Sequence, residues 1–92
     1  MTQEQVQEDA RQDVLVRLRR IEGQARGVQR MVEDGRDCGE IISQLASMRA
    51  AIYSAGLYLL KNHARECATK QAHAGATGRP MEELIDLMLR VA

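Results

Sequence analysis

Apolar residues recur in steps of three and four along most of this chain. Val14, Leu18, Ile21, Ala25, Val28 and Val32 form one such stripe, and the spacing predicts a first helix from about Val6 to Asp34. The Asp34-Gly35 pair ends it as a turn signal. Neither proline nor a strong turn cluster interrupts the chain from about Gly39 to Cys67, which predicts one long second helix. Cys38, Ile42, Leu45, Arg49, Ile52, Gly56, Leu60, His63 and Cys67 fall on one line of it, while Ile41, Met48, Ala55 and Leu59 make an adjacent stripe. That apolar surface is wide enough for both a helical hairpin and a partner chain. Residues 68–79 hold small residues and glycine with little periodicity, as expected of frayed helix passing into loop. Pro80 suits the first turn of a third helix, which continues through Leu84, Ile85, Leu87, Met88 and Leu89. With no strand-like alternation, repeat or low-complexity tract, the class is all-α. Residues 1–92 form one domain, a three-helix protomer with a long central helix, in which the first ten residues are expected to be flexible.

Length turns this pattern into an expectation about assembly. A compact monomer of 92 residues is only about 30 Å across, whereas a helix of roughly 30 residues is about 45 Å long and protrudes from such a globule. Its apolar face therefore calls for a second chain. Hydrophobic residues make up 45% of the sequence, yet Phe and Trp are absent, so the core must come from aliphatic side chains. No apolar run is long enough to span a bilayer, and the N-terminus is polar and acidic instead of signal-peptide-like. A cytoplasmic protein is expected, with no membrane partner. In a reducing compartment its two cysteines are thiols, ligands or sensors more readily than a structural disulfide.

Those cysteines share a helix face with a histidine. At 100° per residue, His63 and Cys67 each fall within about 20° of Cys38 around the axis, but at 1.5 Å per residue Cys38 and His63 lie ~37 Å apart along it. One metal ion cannot bridge that distance. Two copies packed antiparallel through this face bring Cys38 of one chain to His63 and Cys67 of the other, twice per dimer. Two thiolates and an imidazole make a soft, low-coordination site that suits Cu(I), whereas a closed Zn(II) site normally takes four ligands. Each residue alone also has a plainer reading: a cysteine as a small buried hydrophobe, the histidine as a hydrogen-bonded helix residue, and His73 as a solvated loop residue.

Charge balances to zero over the chain but not along it. Between residues 11 and 30, Arg11, Arg17, Arg19, Arg20, Arg26 and Arg30 face only Asp13 and Glu22. Arginine suits bidentate phosphate contact, and an oligomer would repeat the patch. A solvated helix face with intrahelical ion pairs is the alternative.

The run Arg17-Leu18-Arg19-Arg20-Ile21-Glu22-Gly23-Gln24-Ala25-Arg26-Gly27-Val28, followed by Met31-Val32-Glu33 and Cys38, resembles the signature of the copper-sensitive operon repressors, the CsoR/RcnR family of metal-responsive transcriptional regulators. The segment with Gln44, Arg49-Ala50-Ala51, Leu59-Leu60, His63 and Cys67 resembles the second helix of the same family. The resemblance covers nearly the whole chain apart from the first ten residues and the loop after Cys67. It implies an antiparallel dimer with a four-helix-bundle-like core, assembled into a tetramer, and operator DNA bound through basic surfaces without a helix-turn-helix. It further implies that the effector lowers operator affinity.

Within that family the ligand positions distinguish effectors. Copper sensors carry a Cys-His-Cys set, matched by Cys38, His63 and Cys67, so the resemblance implies a Cu(I)-responsive repressor of copper resistance genes. Nickel and cobalt sensors add an N-terminal histidine, absent from residues 1–62, and have His at the last position. Formaldehyde sensors have Glu at that last position, and persulfide sensors have Cys where His63 stands. Glu83 matches the family's carboxylate that hydrogen-bonds the metal-bound imidazole, while Asp37 departs from the Tyr that often precedes the first Cys. A DNA role for Arg17, Arg26 and Arg49 follows from the resemblance and charge, although Arg49 has the alternative of pairing across the dimer. Two other readings remain: a sensor of reactive sulfur or aldehydes acting through Cys38, and a cytosolic copper buffer without a DNA partner. No nucleophile-base-orienter set, phosphate loop or cofactor motif points to an enzyme or to a small organic substrate.

Overall fold

A computed structural model of the chain describes the backbone of residues 3–69 and 81–92 and the side chains of residues 8–63 and 81–92. Three helices account for these residues: α1 (Gln3–Glu33), α2 (Cys38–Thr69) and α3 (Met81–Val91). The expected order is present. Helix α1 begins three residues earlier than the apolar stripe predicts, and α2 runs two residues past Cys67. The remainder of the expected 68–79 loop lies outside the described residues.

The turn after α1 closes in a way its sequence dictates. Gly35 takes a positive φ of 69°, open to glycine without the steric cost other residues meet. Its amide donates to the Val32 carbonyl at 3.1 Å, and the Arg36 amide donates to the Met31 carbonyl at 2.9 Å, so the last carbonyls of α1 are satisfied by a Schellman arrangement. The chain then reverses, and α2 packs antiparallel along α1. Arg17 Nη1 donates to Ser54 Oγ at 3.2 Å, and Gln24 Nε2 reaches Ser47 Oγ at 3.5 Å. Each pair lies seven residues, two helical turns, from the other, which fixes the register of the hairpin.

Small side chains bring the two helices together: Ala10, Val14 and Val28 of α1 and Ala55 of α2 are the buried apolar residues of the described chain. Helix α3 packs only on α2. At Gly56 the close approach is real, because a Cβ there would sit 2.5 Å from Met88 Sδ and 2.8 Å from its Cε. Acidic Glu82 and Glu83 in the first turn of α3 and Arg90 in its last complement the helix dipole.

The protomer measures 54 × 27 × 15 Å. Among the described residues helix α1 touches only α2 and α3 touches only α2, so the three helices lie side by side as a single layer. A domain core needs two layers. Accordingly no large side chain among the described residues is fully buried, and Val32 (60% exposed), Ile42 (58%), Leu45, Ile52 and Leu59 remain in contact with solvent. Among the described residues no helix is long and apolar enough to cross a membrane.

A charge in the middle of the exposed α2 line should prevent it from being covered. Ile52→Glu is expected to shift the protein toward monomer in sedimentation equilibrium and to lower its thermal midpoint, whereas the wild-type midpoint should rise with protein concentration. A concentration-independent wild-type midpoint would contradict a single-layer protomer that depends on a partner.

Candidate metal centre and nucleic-acid surface

Cys38 opens α2, and Asp37 holds it there. The Glu40 amide donates to Asp37 Oδ2 at 3.3 Å and the Ile41 amide to the Asp37 carbonyl at 3.1 Å, which makes Asp37 the N-cap. This is the physical use of an aspartate where the resembling family often has tyrosine. Gly39 leaves room for it, since a Cβ there would lie 2.9 Å from Asp37 Oδ2. The Arg36–Glu40 ion pair, 2.7 Å, closes the same turn. The Cys38 thiol is free and exposed.

His63 has the opposite setting. It is buried, at 8% exposure, and is the one buried polar residue of the described chain. It faces a cavity of about 340 Å³ between α2 and α3, where Leu59 and Leu60 meet Leu84, Leu87, Met88 and Val91. In its neutral form an imidazole is a nitrogen ligand for copper as for zinc, and these aliphatic walls offer a metal no competing oxygen donor. Glu83 is exposed on α3 beside Leu84. Cys67 belongs to α2 one turn beyond His63, but its side chain, like His73, lies outside the described residues.

The donor set fits a soft metal only if two chains supply it. Among the described residues of one chain no three His, Cys, Asp or Glu side chains come together as a metal site. The unbroken α2 keeps Cys38 and His63 ~37 Å apart. On the same face between them Ile42, Leu45 and Ile52 are exposed while Gly56 and Leu60 lie against α3, so an antiparallel partner covering the exposed part would also bring the thiol of one chain toward the imidazole of the other. Arg49 stands on this face and is exposed.

The arginines divide among three surfaces. Arg17 sits in the α1–α2 groove, 36% exposed, with its guanidinium carbon 4.9 Å from the Tyr58 ring centroid. Its buried Nε lies 3.5 Å from Asp13 Oδ1, close enough for charge attraction but without hydrogen-bond alignment. Arg26 pairs with Glu22 at 3.2 Å, and on helical phase it shares with Arg19 and Arg30 the side of α1 turned away from α2. Arg49 belongs to the face of α2 that carries Cys38 and His63. Intrahelical pairing, the alternative considered for the basic run, is thus present at Arg11, Arg17 and Arg26 and coexists with exposed Arg19, Arg20 and Arg30. Two cations flank Arg17: Arg20, part of the basic run but not among the residues given a DNA role from sequence, and Lys61, which sequence reasoning missed. Arg20, with Gln24, Ala51 and Ser54, and Lys61, with Ser54 and Tyr58, line two clefts that meet at Arg17. The signal for them was the polar-and-small stripe Ser47, Ala51, Ser54, Tyr58, Lys61 along α2, which needs the hairpin register to be interpreted.

A three-helix protomer with a soft donor at either end of its central helix and arginines along its first defines a sensor class. Residues 10–90 match the family described as metal-sensitive transcriptional repressor, and the chain belongs to it. This is a family of regulators, in keeping with the absence of any enzyme motif. The copper-sensing transcriptional repressor CsoR of Bacillus subtilis is 41% identical over 71 residues, 77% of this chain and 70% of that protein. The copper-sensing transcriptional repressor RicR of Mycobacterium tuberculosis is 39% identical over 62 residues, 67% of this chain and 65% of that protein. The crystal structure of the copper-sensing repressor CsoR with Cu(I) from Geobacillus thermodenitrificans matches with a TM-score of 0.68 and 38% identity, covering 98% of this chain and 88% of that one.

The three arginines should separate on substitution. Arg17→Ala removes the Ser54 hydrogen bond and the Tyr58 contact, and is expected to destabilise the fold by about 1 kcal/mol. Arg26→Ala removes an exposed intrahelical pair, which is worth at most about 0.5 kcal/mol. Chemical denaturation followed by circular dichroism distinguishes the two, and equal effects would refute a clamping role for Arg17.

Proposed function

We propose that this protein is a Cu(I)-responsive transcriptional repressor that binds operator DNA in its metal-free form and releases it when Cu(I) binds. The observation that carries this reading is the placement of Cys38 and His63 at opposite ends of one unbroken helix, on one face, with exposed aliphatic residues between. The metal ligands are Cys38 of one chain with His63 and Cys67 of another, in an antiparallel dimer that pairs into a tetramer. The donor chemistry and the copper-sensing names of its relatives favour this reading over an electrophile sensor or a copper buffer.

Bound Cu(I) would supply a link between two chains, since three soft ligands satisfy it. The protein's own residues do the rest. His63 keeps a fixed place in an aliphatic cavity, so ligation there is felt by α3 through Leu84, Leu87 and Met88. Glu83, exposed on α3, would hold the imidazole tautomer by accepting a hydrogen bond from the ring nitrogen not given to the metal. Arg17, Arg26 and Arg49 act on the DNA side, with Arg20 and Lys61 beside Arg17 extending the cationic groove for phosphate. Because binding energies are linked, operator DNA must weaken Cu(I) affinity by the factor by which Cu(I) weakens DNA affinity. Acting on operators places the protein in the cytoplasm, where it controls genes for copper resistance.

Complementation between chains tests the site. Cys38→Ala and His63→Ala each remove tight Cu(I) binding, and a mixed dimer of the two variants, isolated with two different tags, should regain one tight site per dimer. One of its sites lacks two ligands while the other keeps all three. No recovery in a correctly folded mixed dimer would sink the shared-site arrangement.

DNA binding has a separate test. Apo-protein affinity for its own upstream region should fall steeply with salt. Arg26→Ala should make the slope of log K against log salt shallower by about one if this side chain neutralises one phosphate, with Cu(I) affinity unchanged. Glu83→Ala should bind Cu(I) yet release DNA poorly. Salt-independent binding, or no preference over random DNA, would reject the repressor.

A further inference from the structure

One arginine of the basic run is held by two helices at once. Arg17 leaves α1 and is met from three directions: Asp13 Oδ1 stands 3.5 Å from its Nε, Ser54 Oγ accepts from its Nη1 at 3.2 Å, and the Tyr58 ring centroid lies 4.9 Å from its Cζ. Ser54 and Tyr58 are one turn apart on α2, so they share a strip of that helix and meet the same side chain. The Nε is buried, and Nη2 has no hydrogen-bond partner among the described residues. The edge between Nη1 and Nη2 is therefore where the guanidinium keeps donors to spare. On either side, the clefts that meet at Arg17 add Arg20 and Lys61. Among the described residues Asp13 is the one carboxylate paired with any of these three cations. The groove thus carries surplus positive charge around a guanidinium whose place is already set.

We propose that Tyr58 is a positioning residue for DNA binding, a platform that fixes the Arg17 guanidinium so that its Nη1–Nη2 edge is kept for a backbone phosphate. This rests on the reading of the chain as a DNA-binding repressor. Ordering a long, rotamer-rich side chain at the moment of binding costs affinity, and a guanidinium already stacked on a ring and tied to a hydroxyl has little freedom left to lose. The platform works through the π face of the ring, which attracts the cation and which phenylalanine shares. Leucine fills much of the same space without a π face. Tyr58 itself touches no phosphate in this arrangement; it acts through Arg17 alone, and that restriction separates it from a residue that merely supports the hairpin.

A double-mutant cycle on DNA affinity tests the assignment. Metal-free full-length protein is titrated by fluorescence anisotropy against a duplex of its own upstream region and a random duplex of equal length, over a series of salt concentrations. Tyr58→Leu should weaken binding to the upstream duplex about fivefold, while Tyr58→Phe stays within about twofold of wild type. In an Arg17→Ala background Tyr58→Leu should change affinity by less than about twofold, because the side chain it positions is gone. The slope of log K against log salt should be unchanged in Tyr58→Leu and shallower in Arg17→Ala, since only the latter removes a charge that neutralises phosphate. A measurement on the wild-type protein needs no variant to fold: with arginine nitrogens labelled, the Arg17 Nη protons should give separate, ring-shifted resonances that move when the upstream duplex is added. Additive losses in the two backgrounds, equal weakening by Tyr58→Phe and Tyr58→Leu, or a freely rotating Arg17 guanidinium would overturn the proposal. If the wild-type protein binds both duplexes equally or without salt dependence, the repressor reading itself fails, an outcome distinct from additivity in a protein that binds.

Discussion

A single layer of helices cannot enclose a core, and the rest of this structure follows from that constraint. Burial of an apolar helix face requires a surface opposite, and with α1 and α3 beside α2 but, among the described residues, not touching each other, the protomer supplies none for Ile42, Leu45 and Ile52. What holds the hairpin is small: alanines and valines in the seam, two polar bridges in register, and a turn closed by Gly35. These set the direction of α2 without consuming its apolar line. The unmet burial of Ile42, Leu45, Ile52 and Leu59 is therefore a driving force held in reserve for association, worth roughly 25 cal/mol for each Å² of apolar surface removed from water.

That reserve explains why ligands at the two ends of one helix make sense. A metal site assembled within one chain would report only on that chain. A site divided between Cys38 and His63 exists only when two chains hold the relation that aligns their exposed lines, so ligation and quaternary geometry become one equilibrium. The two donors differ in setting for the same reason. Cys38 projects from a capped helix start, with Asp37 and Arg36 fixing the turn behind it, whereas His63 sits under α3. In the proposed site, strain introduced on binding would pass from the exposed donor to the packed one, and from there into α3.

The fold was legible because its signals are periodic. Steps of three and four gave α1 and α2 to within a few residues, Asp34-Gly35 marked the reversal, and the absence of proline made α2 one piece. The shared face of Cys38, His63 and Cys67 needed only the helical repeat. Contacts that depend on the hairpin register were not legible: the seating of Arg17 between Asp13, Ser54 and Tyr58, the clefts that join Arg20 and Lys61 to it, and the notch at Gly56 that admits Met88. Glycine in a helix reads as a weakness until a neighbour is seen to occupy the space. Asp37 was visible only as a departure from a family pattern, yet the structure gives it the ordinary work of an N-cap. A pattern of similar sequences carries no information on which of two jobs a local substitution has taken up.

The separation of the arginines shows how one small chain keeps two functions from interfering. In the proposed dimer the α2 face that carries Cys38 and His63 is covered by protein, so Arg49 there stands nearest the partner chain and has pairing across the dimer as the alternative to a phosphate contact. The back of α1 and the Arg17 groove stay open in that arrangement, since neither lies on the ligand line. Their cations are not equivalent either. Arg17 is tied to α2, so any shift of α2 that follows ligation at its ends moves this guanidinium relative to Arg19, Arg26 and Arg30, which are fixed to α1 alone. Phosphates sit at a spacing set by the duplex, and a pattern of cations drawn from two helices matches it only in one relation of those helices. In the proposed mechanism, coupling between metal and DNA would then need no large rearrangement, only a small slide of α2 along α1 at the register set by Arg17–Ser54 and Gln24–Ser47.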